Sequence, residues 1–134
     1  MKEIEGQLWI ENIPVINIAR EYGSPVFIYS ADQLKSNFGK YQNEVGSNDL
    51  ICYAVKANSN LHILKLLSEL GSGFDVVSGN ELKRCLKAGA DKNKIVFSGV
   101  AKSNVEIKLA VEIEILSINI ESYCEFQRIA KISV

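Results

Sequence analysis

Strand-like and helix-like segments alternate along the chain from residue 50 onward, and this alternation limits the possible folds more than any other feature. Short apolar runs rich in β-prone residues occupy residues 50–56, 74–77, 94–97 and 115–120. Each run is followed by apolar residues at helical spacing, as in Leu61 to Leu70. Strands that begin about every 20 residues, with a helix after each, predict parallel βα units.

Serine residues mark the predicted helix starts. Four of them stand three positions before a glutamate or glutamine: Ser30, Ser78, Ser103 and Ser122. In such a capping box the hydroxyl accepts a hydrogen bond from a free amide of the first turn, and the later side chain returns to the cap. Gly71 and Gly89 predict two helix ends. The segment 112–114 has no glycine, so the end of that helix is poorly specified.

Four βα units predict an α/β fold, either a small open sheet or about half of a (β/α)₈ barrel. Residues 1–45 form a prelude, in which 7–10 and 25–29 are predicted strands and a helix begins at Ala31. Residues 46–134 hold the four units.

The chain stops soon after the last helical pattern, so we expect a truncated barrel. Alone it should be inactive and poorly folded, because two sheet edges would lack partners.

Composition excludes several classes of protein. The 134 residues are 47% hydrophobic and carry a net charge of −1, which argues against disorder and against nucleic acid or a membrane surface as partner. The longest apolar stretch, residues 107–120, contains three charged residues, so no membrane span is predicted. No secretory signal is visible at the N-terminus. We expect a cytoplasmic protein.

The cysteines and the single histidine restrict the chemistry. Cys52, Cys85 and Cys124 are odd in number and widely spaced, so neither a disulfide framework nor a metal site is predicted. We expect reduced, buried thiols. His62 is predicted to lie on a helix surface. With one histidine, Ser-His-Asp or Cys-His catalysis would need a partner chain.

Lys56 is the candidate nucleophile. Side chains alternate along a strand, so Leu50, Cys52, Ala54 and Lys56 would share one face, with Lys56 at the carboxyl end. In a barrel that end is the mouth, where barrel enzymes place their chemistry. Partial desolvation there favours the neutral amine, which can attack a carbonyl and form a Schiff base. Spacing alone leaves a second interpretation open, namely a lysine that extends from the strand end into solvent.

The run Tyr-Ala-Val-Lys-Ala-Asn at residues 53–58, with Ile63, Leu64, Leu67 and Gly71 after it, resembles the pyridoxal-phosphate attachment signature of the ornithine/diaminopimelate/arginine decarboxylase family. Three later segments resemble the next strand motifs of that family: Gly73–Leu82, Ile95–Ser103 and Asn119–Ser122. The resemblance covers nearly all of the chain. It implies the N-terminal part of a barrel similar to that of alanine racemase.

The resemblance also implies the chemistry of the site. It implies pyridoxal 5'-phosphate as the cofactor, carried by Lys56, and it places Asp75 near that cofactor. A second interpretation stays open for Asp75, namely a strand carboxylate held by a capping hydrogen bond or by an ion pair. The family further implies a small-molecule amino-acid substrate and a homodimer of the full-length polypeptide.

Within the family, the prelude and the sequence Val77-Ser78-Gly79 are most similar to members that act on meso-diaminopimelate. The implied reaction is decarboxylation to L-lysine and CO₂, the last step of lysine biosynthesis. Three alternatives stay open: decarboxylation of ornithine or arginine, a non-catalytic pyridoxal-phosphate-binding protein of the same barrel type, and an inactive gene remnant.

Overall fold

The structure is a computed structural model that describes residues 1–133. The chain divides by packing into two compact units, Met1–Gly39 and a second unit that begins at Lys40. The predicted division into a prelude of residues 1–45 and a barrel part of residues 46–134 stays a prediction, because packing alone defines these units. Within the described part, no helix combines the length and the apolar character needed to cross a bilayer.

The first unit contains a three-stranded antiparallel sheet. Its strands are β1 (Lys2–Ile4), β2 (Gln7–Ile10) and β3 (Ile13–Pro14), in that spatial order. Glu5 and Gly6 join β1 to β2 with φ angles of 50° and 75°, as a tight two-residue hairpin turn requires. Helix α1 (Val15–Tyr22) follows, and helix α2 (Ala31–Glu44) begins in this unit. The sequence predicted β2 and α2 but not β1, β3 or α1.

The predicted strand at residues 25–29 is wrong. Among the described residues this segment pairs with no strand. Val26, Phe27 and Tyr29 are β-prone but exposed, and Phe27 leaves 88% of its surface in solvent. β-propensity expresses how well a side chain packs on neighbouring strands, so β-prone residues without such a neighbour do not form a strand.

The second unit is built from parallel βα units, as predicted. Its strands are β4 (Cys52–Ala54), β5 (Gly73–Val76), β6 (Ile95–Phe97) and β7 (Ser117–Ile118), in the spatial order β4-β5-β6-β7. Its later helices are α3 (Leu61–Glu69), α4 (Gly79–Lys87), α5 (Asn104–Ile113) and α6 (Tyr123–Ile132). The strands are shorter than the apolar runs that predicted them, because only the paired residues form the ladder.

The two faces of this parallel sheet differ in burial. One face, called the covered face, carries Phe74, Val76, Ile95 and Phe97, all fully buried. Apolar residues of α3, α4 and α5 complete that core: Ile63, Leu64, Leu67, Leu82, Cys85, Ile107 and Ala110. The opposite face, called the open face, carries the registered row Ala54, Asp75, Val96 and Ser117, none of them fully buried. The core therefore lies on one side of the sheet.

The serine caps form at the predicted helix starts. Ser30, Ser78, Ser103 and Ser122 each accept a hydrogen bond from the amide three residues on. Ser103 forms the complete reciprocal box, with Glu106. Helix α3 begins differently, because the side chain of Asn60 accepts from the amide of His62 at 2.9 Å. The His62 side chain is exposed, as predicted.

Two helices end at the glycines that predicted their ends, and a third helix ends without a glycine. Gly71 and Gly89 both adopt φ of 88°, in the left-handed region expected after a helix. At the end of α5, Glu114 takes that role with φ of 58°. Its carboxylate accepts from Lys92 Nζ at 2.9 Å, and this contact lowers the pKa of Glu114. An exposed ion pair thus accompanies a helix end that the sequence left unspecified.

Gly73 is a position where the sheet has no room for a side chain. A Cβ there would lie 2.6 Å from the carbonyl oxygen of Lys94 and 2.8 Å from Cys52 Sγ. We expect Gly73→Ala to lower the free energy of unfolding by about 1–3 kcal/mol, the usual cost of overpacking. Urea denaturation of a protein that contains this chain measures the change. Gly39→Ala is the control, because nothing lies within 4 Å of its Cβ position. Equal stability of the two variants would contradict the prediction.

Candidate active site

The loops that follow the four parallel strands meet at the carboxyl edge of the sheet. Ladder bonds continue past the strand ends: the Ser98 amide donates to the Val76 carbonyl at 2.8 Å, and the Asn119 amide donates to the Phe97 carbonyl at 2.9 Å. Ser98 and Asn119 stand two residues after the row that contains Asp75. Because side chains alternate along a strand, both lie on the open face, one step nearer the edge.

Lys56 follows β4 directly at this edge, where the sequence predicted it. A short 3₁₀ helix, Val55–Ala57, begins after the strand. Val55 is fully buried and Lys56 is exposed, so the predicted desolvation of Lys56 is wrong for the described residues. The backbone leaves the extended conformation after Ala54, and strand alternation therefore does not extend to residue 56. Among residues 1–133, no hydrogen bond or ion pair holds the Lys56 amine.

Hydrogen bonds from two elements fix the loop that carries Lys56. The Tyr53 hydroxyl donates to the Asn58 carbonyl at 3.2 Å. Arg84 Nε, on α4, donates to the Ser59 carbonyl at 2.8 Å. The loop then enters α3 at its cap, Asn60. The backbone on the C-terminal side of Lys56 is thus held while its amine is accessible.

Asp75 is half-buried on the open face and has an unsatisfied acceptor. Its Oδ1 is buried and accepts no hydrogen bond from the described residues. Leaving such an acceptor unsatisfied costs about 1–3 kcal/mol. The alternative of an ion-paired carboxylate is not supported, since none of the ion pairs within residues 1–133 includes Asp75. A donor from a bound molecule would satisfy this atom.

The three cysteines are free thiols in different surroundings. Burial raises the pKa of Cys52, and the charge of Asp75 raises it further. Burial, followed by the charge of Glu81, raises the pKa of Cys85 to about 12. The predicted burial is right for Cys85, incomplete for Cys52 and wrong for Cys124, which is exposed. The Cys52 thiol therefore stays protonated beside Asp75 and is a poor nucleophile.

Ser98 and Asn119 form a polar pair that the sequence analysis did not identify as site residues. Asn119 Nδ2 donates to Ser98 Oγ at 3.0 Å. Both follow a strand by one residue, as the polar residue that ends an apolar run. This position after a strand is the sequence signal that could have identified them as site residues, because it places a side chain at the edge where Lys56 emerges.

Lys102, in the loop after β6, and Glu125, in the first turn of α6, form a buried ion pair. Lys102 Nζ lies 3.2 Å from Glu125 Oε1, and their side chains are 0% and 3% exposed. The same ammonium donates to the carbonyls of Gly99 at 2.6 Å and Asn119 at 2.7 Å. Burial alone would raise the pKa of Glu125, but the amide of Glu121 and the Lys102 ammonium outweigh it and lower that pKa. The Glu125 carboxylate therefore stays ionised beside Lys102.

The comparisons with known proteins agree with this geometry. Residues 31–134 match the family model described as the pyridoxal-binding domain of pyridoxal-dependent decarboxylases. The chain belongs to this family. Its residues fit a pyridoxal cofactor, because an accessible lysine amine follows β4 and a carboxylate with an unsatisfied buried oxygen lies on the neighbouring strand β5. The resemblance seen in the sequence is confirmed.

Relatives of known activity cover almost the whole chain. Diaminopimelate decarboxylase of Vibrio cholerae is 48% identical over 130 residues, which are 96% of this chain and 31% of that protein. The crystal structure of diaminopimelate decarboxylase from M. jannaschii matches with a TM-score of 0.90 and 33% identity, over 98% of this chain and 32% of that one. The Helicobacter pylori enzyme, complexed with L-lysine, matches with a TM-score of 0.77 and 44% identity, over 84% of this chain and 30% of that one.

The chain thus spans about 31% of the length of these relatives. It corresponds to the N-terminal part of a pyridoxal-dependent decarboxylase barrel, and its four parallel strands confirm the predicted fold class. A polypeptide of the relatives' length that carries this chain as its N-terminal part is called the full-length protein.

Replacement of Asp75 tests whether its unsatisfied oxygen serves a ligand. We expect Asp75→Asn to weaken binding of pyridoxal phosphate to the full-length protein about ten-fold, the value of one charge-assisted hydrogen bond. The apoprotein should keep its thermal midpoint, because no hydrogen bond to Oδ1 from the described residues is lost. Titration of cofactor absorbance and thermal denaturation measure the two effects.

Asp91→Asn is the matched control. Asp91 precedes β6 at the opposite edge of the sheet and caps a 3₁₀ turn through its side chain. It should leave cofactor binding unchanged. Wild-type affinity in the Asp75 variant would show that this carboxylate does not contact the bound cofactor.

Proposed function

We propose that this chain is the cofactor-carrying N-terminal part of a diaminopimelate decarboxylase, which converts meso-diaminopimelate to L-lysine and CO₂ in the last step of lysine biosynthesis. The observation that carries the proposal is the Lys56 amine, which is accessible at the carboxyl end of β4 within a pyridoxal-binding domain. The identity to diaminopimelate decarboxylases supports the choice of substrate.

Lys56 and Asp75 have different roles in this proposal. The Lys56 amine would hold pyridoxal 5'-phosphate covalently through the carbonyl carbon of the cofactor, with loss of water. The bound cofactor supplies an electron sink for the bond that breaks when CO₂ leaves. Asp75 accepts a hydrogen bond from the ligand through its unsatisfied Oδ1. The hydrogen bonds to the carbonyls of Asn58 and Ser59 would keep the Lys56 loop in place whether or not its amine carries the cofactor.

The proposal extends to the organisation of the protein. We place the boundary between the prelude and the four βα units at residues 45 and 46. The full-length protein acts on a small-molecule amino acid as a homodimer, which the family resemblance supports. Its location is the cytoplasm. The three free cysteines support this location, since reduced thiols persist in that compartment.

Trapping of the cofactor tests the role of Lys56. Borohydride reduction of the full-length protein with pyridoxal phosphate should fix the cofactor on Lys56, because no other described lysine lies within two residues after a strand of the parallel sheet. Peptide mass mapping locates the label. Lys56→Ala should abolish both the label and the bound-cofactor absorbance.

Lys65→Ala is the matched control for this trapping experiment. Lys65 is an exposed lysine on α3, 3.9 Å from Glu69, and its loss should leave labelling intact. A label on Lys65 or Lys83 with Lys56 unmodified would refute the assignment.

The choice among substrates tests the proposed reaction. The full-length protein should release CO₂ from meso-diaminopimelate at a kcat/KM at least about 100-fold above that for ornithine or arginine, because a site built for one polar group strongly rejects analogues that lack it. Radiometric CO₂ release measures all three. Preference for ornithine or arginine would replace the proposed reaction by one of those decarboxylations. Tight cofactor binding without CO₂ release would favour the non-catalytic alternative.

A further inference from the structure

Lys102 is a fully buried lysine that the proposed chemistry does not use. Its ammonium makes four polar contacts: the carbonyls of Gly99 and Asn119, and both carboxylate oxygens of Glu125 at 3.2 and 3.3 Å. It also lies 5.9 Å from the centre of the Phe97 ring. Burial of two charges is costly even when they are paired, and apolar replacements often stabilise a protein equally well. Stability alone therefore does not explain why a lysine occupies this position.

The two carbonyls that Lys102 holds belong to different loops of the carboxyl edge. Gly99 lies in the loop after β6, and Asn119 lies in the loop after β7. Gly99 has φ of 99°, which L-residues with a side chain rarely adopt. The shorter contacts of the ammonium, 2.6 and 2.7 Å, are to these carbonyls and not to the carboxylate. Lys102 thus connects the loop after β6 to the loop after β7 through a main-chain oxygen of each.

The held carbonyls flank the polar pair on the open face. Asn119 is itself one member of the pair, and Ser98 directly precedes Gly99. Both loops lie at the edge where Lys56 emerges. A shift of either loop would change the 3.0 Å contact between Asn119 Nδ2 and Ser98 Oγ. The Ser98 hydroxyl and the second hydrogen of the Asn119 amide are donors suited to an oxygen atom of a ligand.

We propose that Lys102 is a positioning residue, which fixes the β6 and β7 loops so that Ser98 and Asn119 donate hydrogen bonds to an oxygen atom of the bound cofactor. The proposal rests on the proposed function, because it needs a pyridoxal cofactor at this edge. Glu125 has the secondary role of balancing the buried charge and orienting the ammonium toward the two carbonyls. Arg128 supports the arrangement from α6 by donating to the Lys102 carbonyl at 2.9 Å.

The direct test replaces each residue of the polar pair, Ser98 and Asn119, and leaves the buried core unchanged. Ser98→Ala and Asn119→Ala in the full-length protein should each weaken pyridoxal-phosphate binding about five-fold to ten-fold and shift the absorbance maximum of the bound cofactor. Because Ser98 and Asn119 contact each other on a partly exposed face, neither change should prevent folding. Unchanged affinity and spectrum in both variants would overturn the proposal.

A double-mutant cycle separates positioning from general stability. Lys102→Met with Glu125→Gln removes the buried charges together and keeps most of the volume. We expect this pair of changes to weaken cofactor binding about ten-fold in the wild-type background but less than two-fold in a Ser98→Ala/Asn119→Ala background. An equal loss in both backgrounds would show that Lys102 acts on overall stability, and it would overturn the proposal.

Two controls complete the experiment. Lys108→Met with Glu112→Gln makes the same two changes in an exposed ion pair on α5, 3.7 Å apart, and should change affinity less than two-fold. The wild-type full-length protein sets the baseline: if it binds no pyridoxal phosphate, both the proposed function and the role of Lys102 fail. If it binds the cofactor on Lys56 and the Ser98 and Asn119 variants bind equally well, only the role of Lys102 fails.

Discussion

Parallel pairing of β4 to β7 is the constraint from which the candidate site follows. Parallel strands run in one direction, so every loop that follows a strand lies at the same edge of the sheet. Residues far apart in sequence, such as Lys56, Ser98 and Asn119, are brought to that edge by the pairing of the strands. Ligands of α/β proteins bind at such carboxyl edges for this reason.

The two faces of the sheet separate stability from chemistry. Phe74 and Phe97 are fully buried on the covered face, and each such side chain contributes about 1.5–3 kcal/mol. The unsatisfied oxygen of Asp75 on the open face costs a similar amount. The free energy gained by burying the apolar core on one face therefore offsets the cost of the unsatisfied Asp75 carboxylate, which the sheet does not need for its own stability. An acceptor of this kind is tolerated where it serves a ligand.

Local signals in the sequence predicted the starts of helices α2, α4, α5 and α6. Ser78 caps α4 and Ser122 caps α6, each through a hydrogen bond to the amide three residues later. A short sequence window is therefore enough to predict these helix starts. Non-local features could not be predicted in this way. The segment around Phe27 is β-prone but has no strand partner among residues 1–133, and only the fold shows this. The contact between Lys102 and Glu125 joins residues 23 positions apart.

Lys102 contacts main-chain oxygens, so its hydrogen bonds to the two loops do not depend on which side chains the loops carry. The carbonyls of Gly99 and Asn119 are present whatever side chain follows them, so substitutions at residue 119, and at Ser98 beside Gly99, leave both acceptors of the ammonium in place. Ligand preference can therefore drift at these two positions while the loops keep their shape. We expect relatives with different substrates to share the buried lysine and to differ at the positions of the polar pair, Ser98 and Asn119.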